Sequence, residues 1–261
     1  MSRVDDAAGA AGGEGARQSG RRMLRRTPDG VKPDVWLMTL FFPAWYAVFG
    51  VIICLLTRVT PPPRPDVTAA DKVAFFAQHH LTIQIGFTLL LILLGGAAMT
   101  NGLVGYQMKR MSVGSVFAYG YIGGMSVGAL PGFLLVTVCF LTAAFRPDRD
   151  PALVSLLYDL GMLSYNGSLG CFTAAYLVLA VAILYDKNGV FPKWFSYVSI
   201  WQIITEVIAT QMFVFASGPF SWNGSIAFWL AVVVFSVWLG ALIVLLRGAA
   251  RQEPVTAPAL A

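Results

Sequence analysis

Residues 81–105 read LTIQIGFTLLLILLGGAAMTNGLVG, an unbroken run without one charged side chain. A helix needs about 20 apolar residues to cross roughly 30 Å of hydrocarbon, rising ~1.5 Å per residue. The period-two alternation that marks a membrane strand is absent from the run. A backbone exposed to lipid must make its hydrogen bonds internally, so this stretch predicts a transmembrane helix.

Outward from it, five more runs have the same character: residues 36–57, 113–141, 160–185, 194–216 and 225–246. Glu206 is the only charged residue in the six. The whole chain of 261 residues is 57% hydrophobic and 12% charged. A soluble domain is typically about a quarter charged, and so few charges cannot cover a surface in water. The fold class expected is therefore all-α: a polytopic transmembrane bundle of six spans over residues 36–247.

Charge placement predicts the orientation. With the N-terminus inside, the inner loops carry Lys109, Arg110, Lys187 and Lys193. The two tails carry Arg3, Arg17, Arg21, Arg22, Arg25, Arg26, Lys32, Arg247 and Arg251. The outer loops carry Arg58, Arg64, Lys72, Arg146 and Arg149, so the cations divide thirteen to five. That bias puts both termini in the cytoplasm of a multi-pass protein of the cell membrane, with the bilayer as its main partner. The net charge of +5 fits anionic headgroups; no aromatic residue interleaves the tail arginines, so nucleic acid is not implied. The tails, 1–35 and 248–261, lack the apolar residues to bury a core and are expected to be disordered. The first apolar run begins beyond residue 30 and is too long for a signal-peptide core.

Between spans, Pro61-Pro62-Pro63 and Pro65 predict a stiff, extended exit from the membrane. A short helix should follow over 68–80, with Thr68 and Asp71 in capping-box positions, lying on the outer surface and running into the second span. Residues 146–159 and 217–224 read as loops. Trp36, Trp194 and Trp222 sit where an interfacial belt would be, while Trp45, Trp201, Trp229 and Trp238 lie deeper and need partners for their indole N–H groups.

In the third run, Gly120, Gly124, Gly128 and Gly132 repeat every four residues and share one helix face. Such a ridge lets a neighbouring backbone come close, within the monomer or between protomers; Pro131 should kink the same helix. The fourth run offers a matching surface in Ser164, Gly167, Ser168, Cys171 and Ala175.

Glu206 is the most informative residue. A lone carboxylate within hydrocarbon is costly and must be protonated, hydrogen-bonded or in contact with water. Gln202 and Thr210 lie one turn either side of it, with Trp201 and Phe213 as flanking aromatics. The alternatives are a carboxyl satisfied structurally and one used for proton coupling, cation binding or acid catalysis. A second polar stripe, His80, Gln84 and Thr88, with Asp159 and Asn166, could line an outer vestibule. His79-His80 diverge by about 100° on a helix, so no metal site is expected. Cys54, Cys139 and Cys171 are scattered in apolar runs and suggest neither disulfides nor zinc. No cofactor motif is present.

Three short motifs carry a resemblance: Phe145-Arg146-Pro147-Asp148-Arg149, Val190-Phe191-Pro192-Lys193-Trp194 and Gly218-Pro219-Phe220-Ser221-Trp222-Asn223-Gly224. They resemble landmarks of an uncharacterised family of bacterial six-span membrane proteins. The resemblance covers roughly residues 36–247 and implies a topology but no activity. Size and helix count are also distantly similar to membrane-bound terpene cyclases, whose buried carboxylates protonate a prenyl chain; that is an analogy of fold.

Three functions are compatible with these features. The chain binds or moves an apolar or amphipathic small molecule in a cavity around Glu206. It is a membrane-embedded enzyme acting on a lipid or isoprenoid, with Glu206 as general acid and Tyr119, Tyr121, Tyr165 or Asp159 opposite it. Or it is a structural partner subunit of a membrane complex.

Overall fold

The computed structural model describes residues 31–252, except residue 168 and the side chains at 130, 131, 166, 167 and 169. Among the described residues the structure is helical, with no strand. Helix α1, Pro33–Val51, continues as a π-helical segment, Ile52–Leu56. Helix α2 is Ala69–Met108, and α3 is Ser115–Phe145. Helices α4, Pro151–Gly167, and α5, Leu169–Tyr185, follow each other with almost no break. Helix α6, Trp194–Ala209, tightens into a 3-10 turn, Thr210–Phe213. Helix α7, Ala231–Arg251, is entered through a π-helical segment, Ser225–Leu230.

Five of these helical stretches are long and apolar enough to cross a membrane: Pro33–Leu56, Ala69–Met108, Ser115–Phe145, Pro151–Tyr185 and Ser225–Arg251. The run at 194–216 differs from expectation. Its α-helix covers only 16 residues before the backbone tightens at Thr210.

The boundaries also differ in ways that follow from capping. Proline is favoured in a helix's first turn, where its missing N–H costs nothing, so α1 starts at Pro33 and α4 at Pro151. Asp150 supports the latter start by accepting the Ala152 N–H at 2.7 Å. Residues 151–159, expected as loop, are therefore helix. Residues 31–35 and 248–252, assigned to tails, belong to the fold: Val31, Val35, Ala249 and Ala250 are buried. The remainder of both tails lies outside the described residues.

Thr68 does cap α2. Its hydroxyl oxygen accepts the Asp71 N–H at 3.2 Å, and the Asp71 carboxylate accepts the Thr68 N–H at 3.1 Å. The helix then runs unbroken to Met108, continuing into the second span as expected. Phe76 is 0% exposed and packs on Phe140 and Tyr158, which turns this segment toward protein.

The helices close into a ring. Helix α1 packs on α2, α2 on α3, α3 on α4 and α5, α5 on α6, α6 on α7, and α7 back on α1. The glycine ridge builds the α3–α5 seam. A Cβ at Gly124 would lie 3.1 Å from the Ala175 Cβ and 3.2 Å from the Cys171 carbonyl oxygen, and one at Gly128 would lie 2.9 Å from the Phe172 ring. Gly120 is looser, at 3.6 Å from Val178, and Gly132 is buried. The surfaces expected to match, through Cys171 and Ala175, do meet. Helix α3 is continuous past Pro131, whose side chain is not among those described. On α2, a Cβ at Gly96 would collide with the Trp45 indole, whose Nε1–H reaches across to donate to the Leu93 carbonyl at 2.9 Å.

The loops sort to two ends. At one end Lys32 donates to the Tyr106 hydroxyl at 3.1 Å, and Arg110 donates to the Ala249 carbonyl at 2.7 Å. Asp186 accepts the backbone N–H groups of Ser112, Asn188 and Val190 at 2.8, 3.0 and 3.0 Å. Burial works to raise this carboxyl's pKa, but the N–H donors outweigh it and hold it below its ordinary value. Lys193 donates to the carbonyls of Ile183, Leu184 and Asp186 at 2.5, 2.7 and 2.7 Å, capping α5. At the opposite end, Trp222 donates to the Pro63 carbonyl at 2.7 Å and Tyr158 to the Arg64 carbonyl at 2.8 Å. Residues 31 and 252 thus lie at the same end.

The ring's outer wall is apolar. Leu37, Leu55, Ile92, Val127, Leu156, Val207 and Val244 are exposed, a surface that water would not tolerate and lipid would.

Candidate functional site

Inside the ring is a cavity of ≈ 240 Å³ lined from every side. Helix α1 contributes Trp45, Tyr46 and Phe49; α2 contributes Ala97 and Asn101; α3 contributes Met125, Ala129 and Phe133. Tyr165 on α4, with Phe172 and Tyr176 on α5, forms the next wall. Gln202, Glu206, Ala209 and Met212 come from the α6 segment, and Ala227, Phe228, Ala231, Val232 and Phe235 from the α7 segment.

The wall is built of aromatic contacts. Trp45 stacks on Phe49 at 5.2 Å, Phe49 meets Phe133 edge-on at 5.4 Å, and Phe133 meets Tyr165 at 5.4 Å. On the other side Tyr46 approaches Phe235 at 6.5 Å, and Phe235 stacks on Trp238. Rings at these spacings hold one another rigidly.

Against this wall stands one polar pair. Gln202 and Glu206, one helical turn apart, are 1% and 7% exposed. The Gln202 Nε2–H donates to Glu206 Oε1 at 2.8 Å. Glu206 Oε2 and Gln202 Oε1 are buried and accept no hydrogen bond. No Lys, Arg or second carboxyl is among the cavity's lining residues. The pair is therefore half satisfied, in a place where an unpaired polar atom costs about 1–3 kcal/mol. Three residues beyond Glu206 the α-helix ends, at Ala209. The backbone continues from there into the 3-10 turn Thr210–Phe213, so the helical end lies about two turns beyond the carboxyl.

The other expected residues are placed differently. Thr210 is exposed and donates to the Val207 carbonyl at 2.7 Å, because the helix tightens at that residue and turns it out of the Gln202–Glu206 stripe. Trp201 and Phe213 are exposed and do not line the cavity. Tyr119 is also exposed, and Tyr121 is buried in the core away from the cavity. Tyr165 does face the cavity, together with Tyr176, which the sequence reading passed over.

The outer stripe does not assemble into a vestibule. His80 and Thr88 are exposed on α2, and His80 Nδ1 lies 3.0 Å from the Ala77 carbonyl. Gln84 donates to the Ala144 carbonyl at 3.2 Å and secures the end of α3. Asp159 is committed to Lys72, which donates to its two oxygens at 2.7 and 2.9 Å and to Ser155 Oγ at 3.0 Å. Lys72 is 5% exposed and sits 5.0 Å above the Tyr158 ring, a buried cation absent from the sequence-level candidates. The side chain of Asn166 is outside the described residues. Among the described residues no group of three or more His, Cys, Asp or Glu is placed to hold a metal.

Compared with known proteins, the chain matches no family model, no curated protein and no solved structure. Two of the quoted motifs have local structural roles: Lys193 caps α5, and Trp222 ties its turn to Pro63. That turn reverses at Gly218, whose φ of 82° favours glycine.

Proposed function

We propose that this chain is a six-span protein of the cell membrane, with both termini cytoplasmic, that binds or moves an apolar or amphipathic small molecule in the cavity around Glu206. Six crossings are supported by parity. Residues 31 and 252 share an end of the bundle, so the chain traverses it an even number of times, and five spans plus α6 make six. The length of α6 is adequate: about 24 Å of α-helix plus about 8 Å of 3-10 turn equals the hydrocarbon thickness. The division of cations between the ends supports a cytoplasmic N-terminus.

The observation that carries the functional reading is the cavity itself, walled mostly by apolar and aromatic groups, with two orphaned oxygens among its few polar ones. An apolar cavity of about 150 Å³ accommodates benzene, so this one suits a somewhat larger body with one polar group. A merely structural subunit has no need of such a space. The rival reading as an acid catalyst on a lipid or isoprenoid draws on Tyr165 and Tyr176, which face the same cavity as Glu206.

Occupation of the cavity decides between these readings and a passive scaffold. Ala129→Phe places a ring in the space from α3. Native mass spectrometry of wild type and variant extracted from their own membrane should show a small retained molecule in the first and its loss in the second, at equal thermal stability. Equal spectra would overturn the reading. Flux into proteoliposomes over a pH series, for wild type and Glu206→Gln, then tests proton coupling; identical pH profiles would remove it.

A further inference from the structure

We infer that the cavity takes an organic ammonium: a compact apolar body bearing a protonated primary or secondary amine. This rests on the cavity being a ligand site and adds the ligand's charge and donor count.

The argument begins with what the protein leaves unmade. Glu206 Oε2 and Gln202 Oε1 are both acceptors, one turn apart, and both lack a partner. No lining residue supplies a cation to the carboxylate. A ligand alcohol brings one O–H and leaves one of the two oxygens orphaned. An ammonium brings two or three N–H donors and a positive charge, so it satisfies both oxygens and neutralises the carboxylate in one step. A bare metal ion is a poorer match, because alkali and alkaline-earth ions need roughly six converging oxygen ligands, and among the described lining residues the buried unpaired oxygens are the two on Gln202 and Glu206.

The surroundings agree. Trp45, Tyr46, Phe172, Tyr176 and Phe235 line the same space, and ring faces attract a desolvated cation. The carboxylate repels an anion, which argues against fatty acids and phosphates as occupants. Among the described residues, the other titratable groups lining the cavity are the phenols of Tyr46, Tyr165 and Tyr176, one from each of α1, α4 and α5, and none carries charge at neutral pH. Cation and proton therefore compete for Glu206 alone. When the ammonium binds a protonated Glu206, the carboxyl O–H bond breaks and one proton is released to solvent for each cation taken up.

Three probes with one skeleton separate the possibilities: 1-adamantylamine, 1-adamantanol and 1-adamantanecarboxylate, titrated into the full-length protein in nanodiscs and followed by tryptophan fluorescence. The amine should bind at least tenfold more tightly than the alcohol, since a charge-assisted bond to a buried carboxylate exceeds a neutral one by about that factor. The carboxylate should not bind measurably. Glu206→Gln should abolish the amine's advantage over the alcohol. Amine binding should release protons in weakly buffered solution. If the alcohol equals or exceeds the amine, the ammonium assignment falls and the apolar cavity stands. If none of the three saturates wild type, both fall.

Discussion

Replacing the ridge glycines one at a time with alanine should have opposite effects at neighbouring turns. In each case the helix gains up to about 1 kcal/mol in propensity. What differs is the space. At Gly120 the new methyl would sit 3.6 Å from Val178, an ordinary contact, so Gly120→Ala should be neutral or stabilising by up to about 1 kcal/mol. At Gly124 it would press on the Ala175 Cβ at 3.1 Å and on the Cys171 carbonyl oxygen at 3.2 Å. Neither is the free end of a flexible side chain, so α3 and α5 have to move apart. Overpacking of this kind costs typically 1–3 kcal/mol, so Gly124→Ala should come out about 1–2 kcal/mol less stable. At Gly128 the methyl would meet the Phe172 ring at 2.9 Å, and that ring lines the cavity, so displacing it reshapes the site. Gly128→Ala should therefore lose less stability than Gly124→Ala and more ligand affinity. Thermal unfolding in one detergent, read by intrinsic fluorescence, would resolve the order, since 1 kcal/mol moves the midpoint of a chain this size by about 2–4 °C. If Gly120→Ala were as damaging as Gly124→Ala, the α3–α5 seam would not follow this register.

Other outcomes follow from the two ends of the bundle. Asp159→Ala should destabilise more than Lys72→Met, because it strands an ammonium whose side chain is 6% exposed, whereas Asp159, at 39%, can rehydrate; the loss should be about 1–3 kcal/mol against 1 or less by thermal unfolding. Asp186 has a folded pKa below its ordinary 3.8, so its stabilisation is complete above that value and is lost as pH falls through the lower folded value. Wild type should thus lose stability below about pH 4 more steeply than Asp186→Asn, and parallel acid curves would refute the assignment. Fluorescent and phosphatase reporters fused at the C-terminus should report a cytoplasmic location; phosphatase activity there would overturn the proposed orientation.

Much of the fold could be read from the residues. The apolar runs, the Thr68 cap and the glycine ridge depend on local chemistry and spacing, which a sequence displays directly. Glu206 with Gln202 was legible for the same reason, as an i, i+4 pair on one helix. Thr210 was misread because a regular helix was assumed, and the backbone tightens at that residue. The supposed vestibule failed for another reason: Asp159 answers Lys72, far away in sequence, and nothing local announces that pairing. Tyr176, Asn101 and the aromatic wall come from helices whose relative rotation no single segment encodes. Asp150-Pro151 did mark a helix start, but it was outweighed by the alternating charges around it.

In the proposed orientation, Arg110 and Lys193 lead two lives. While the chain is being inserted, their charge helps decide which side of the bilayer a hairpin end remains on. Once the helices assemble, the same groups clasp the terminal carbonyls of α7 and α5 and no longer face the headgroups as free cations. Neutralising either residue would thus injure biogenesis and the finished protein by separate routes, and a folded but inverted population would be the trace of the first.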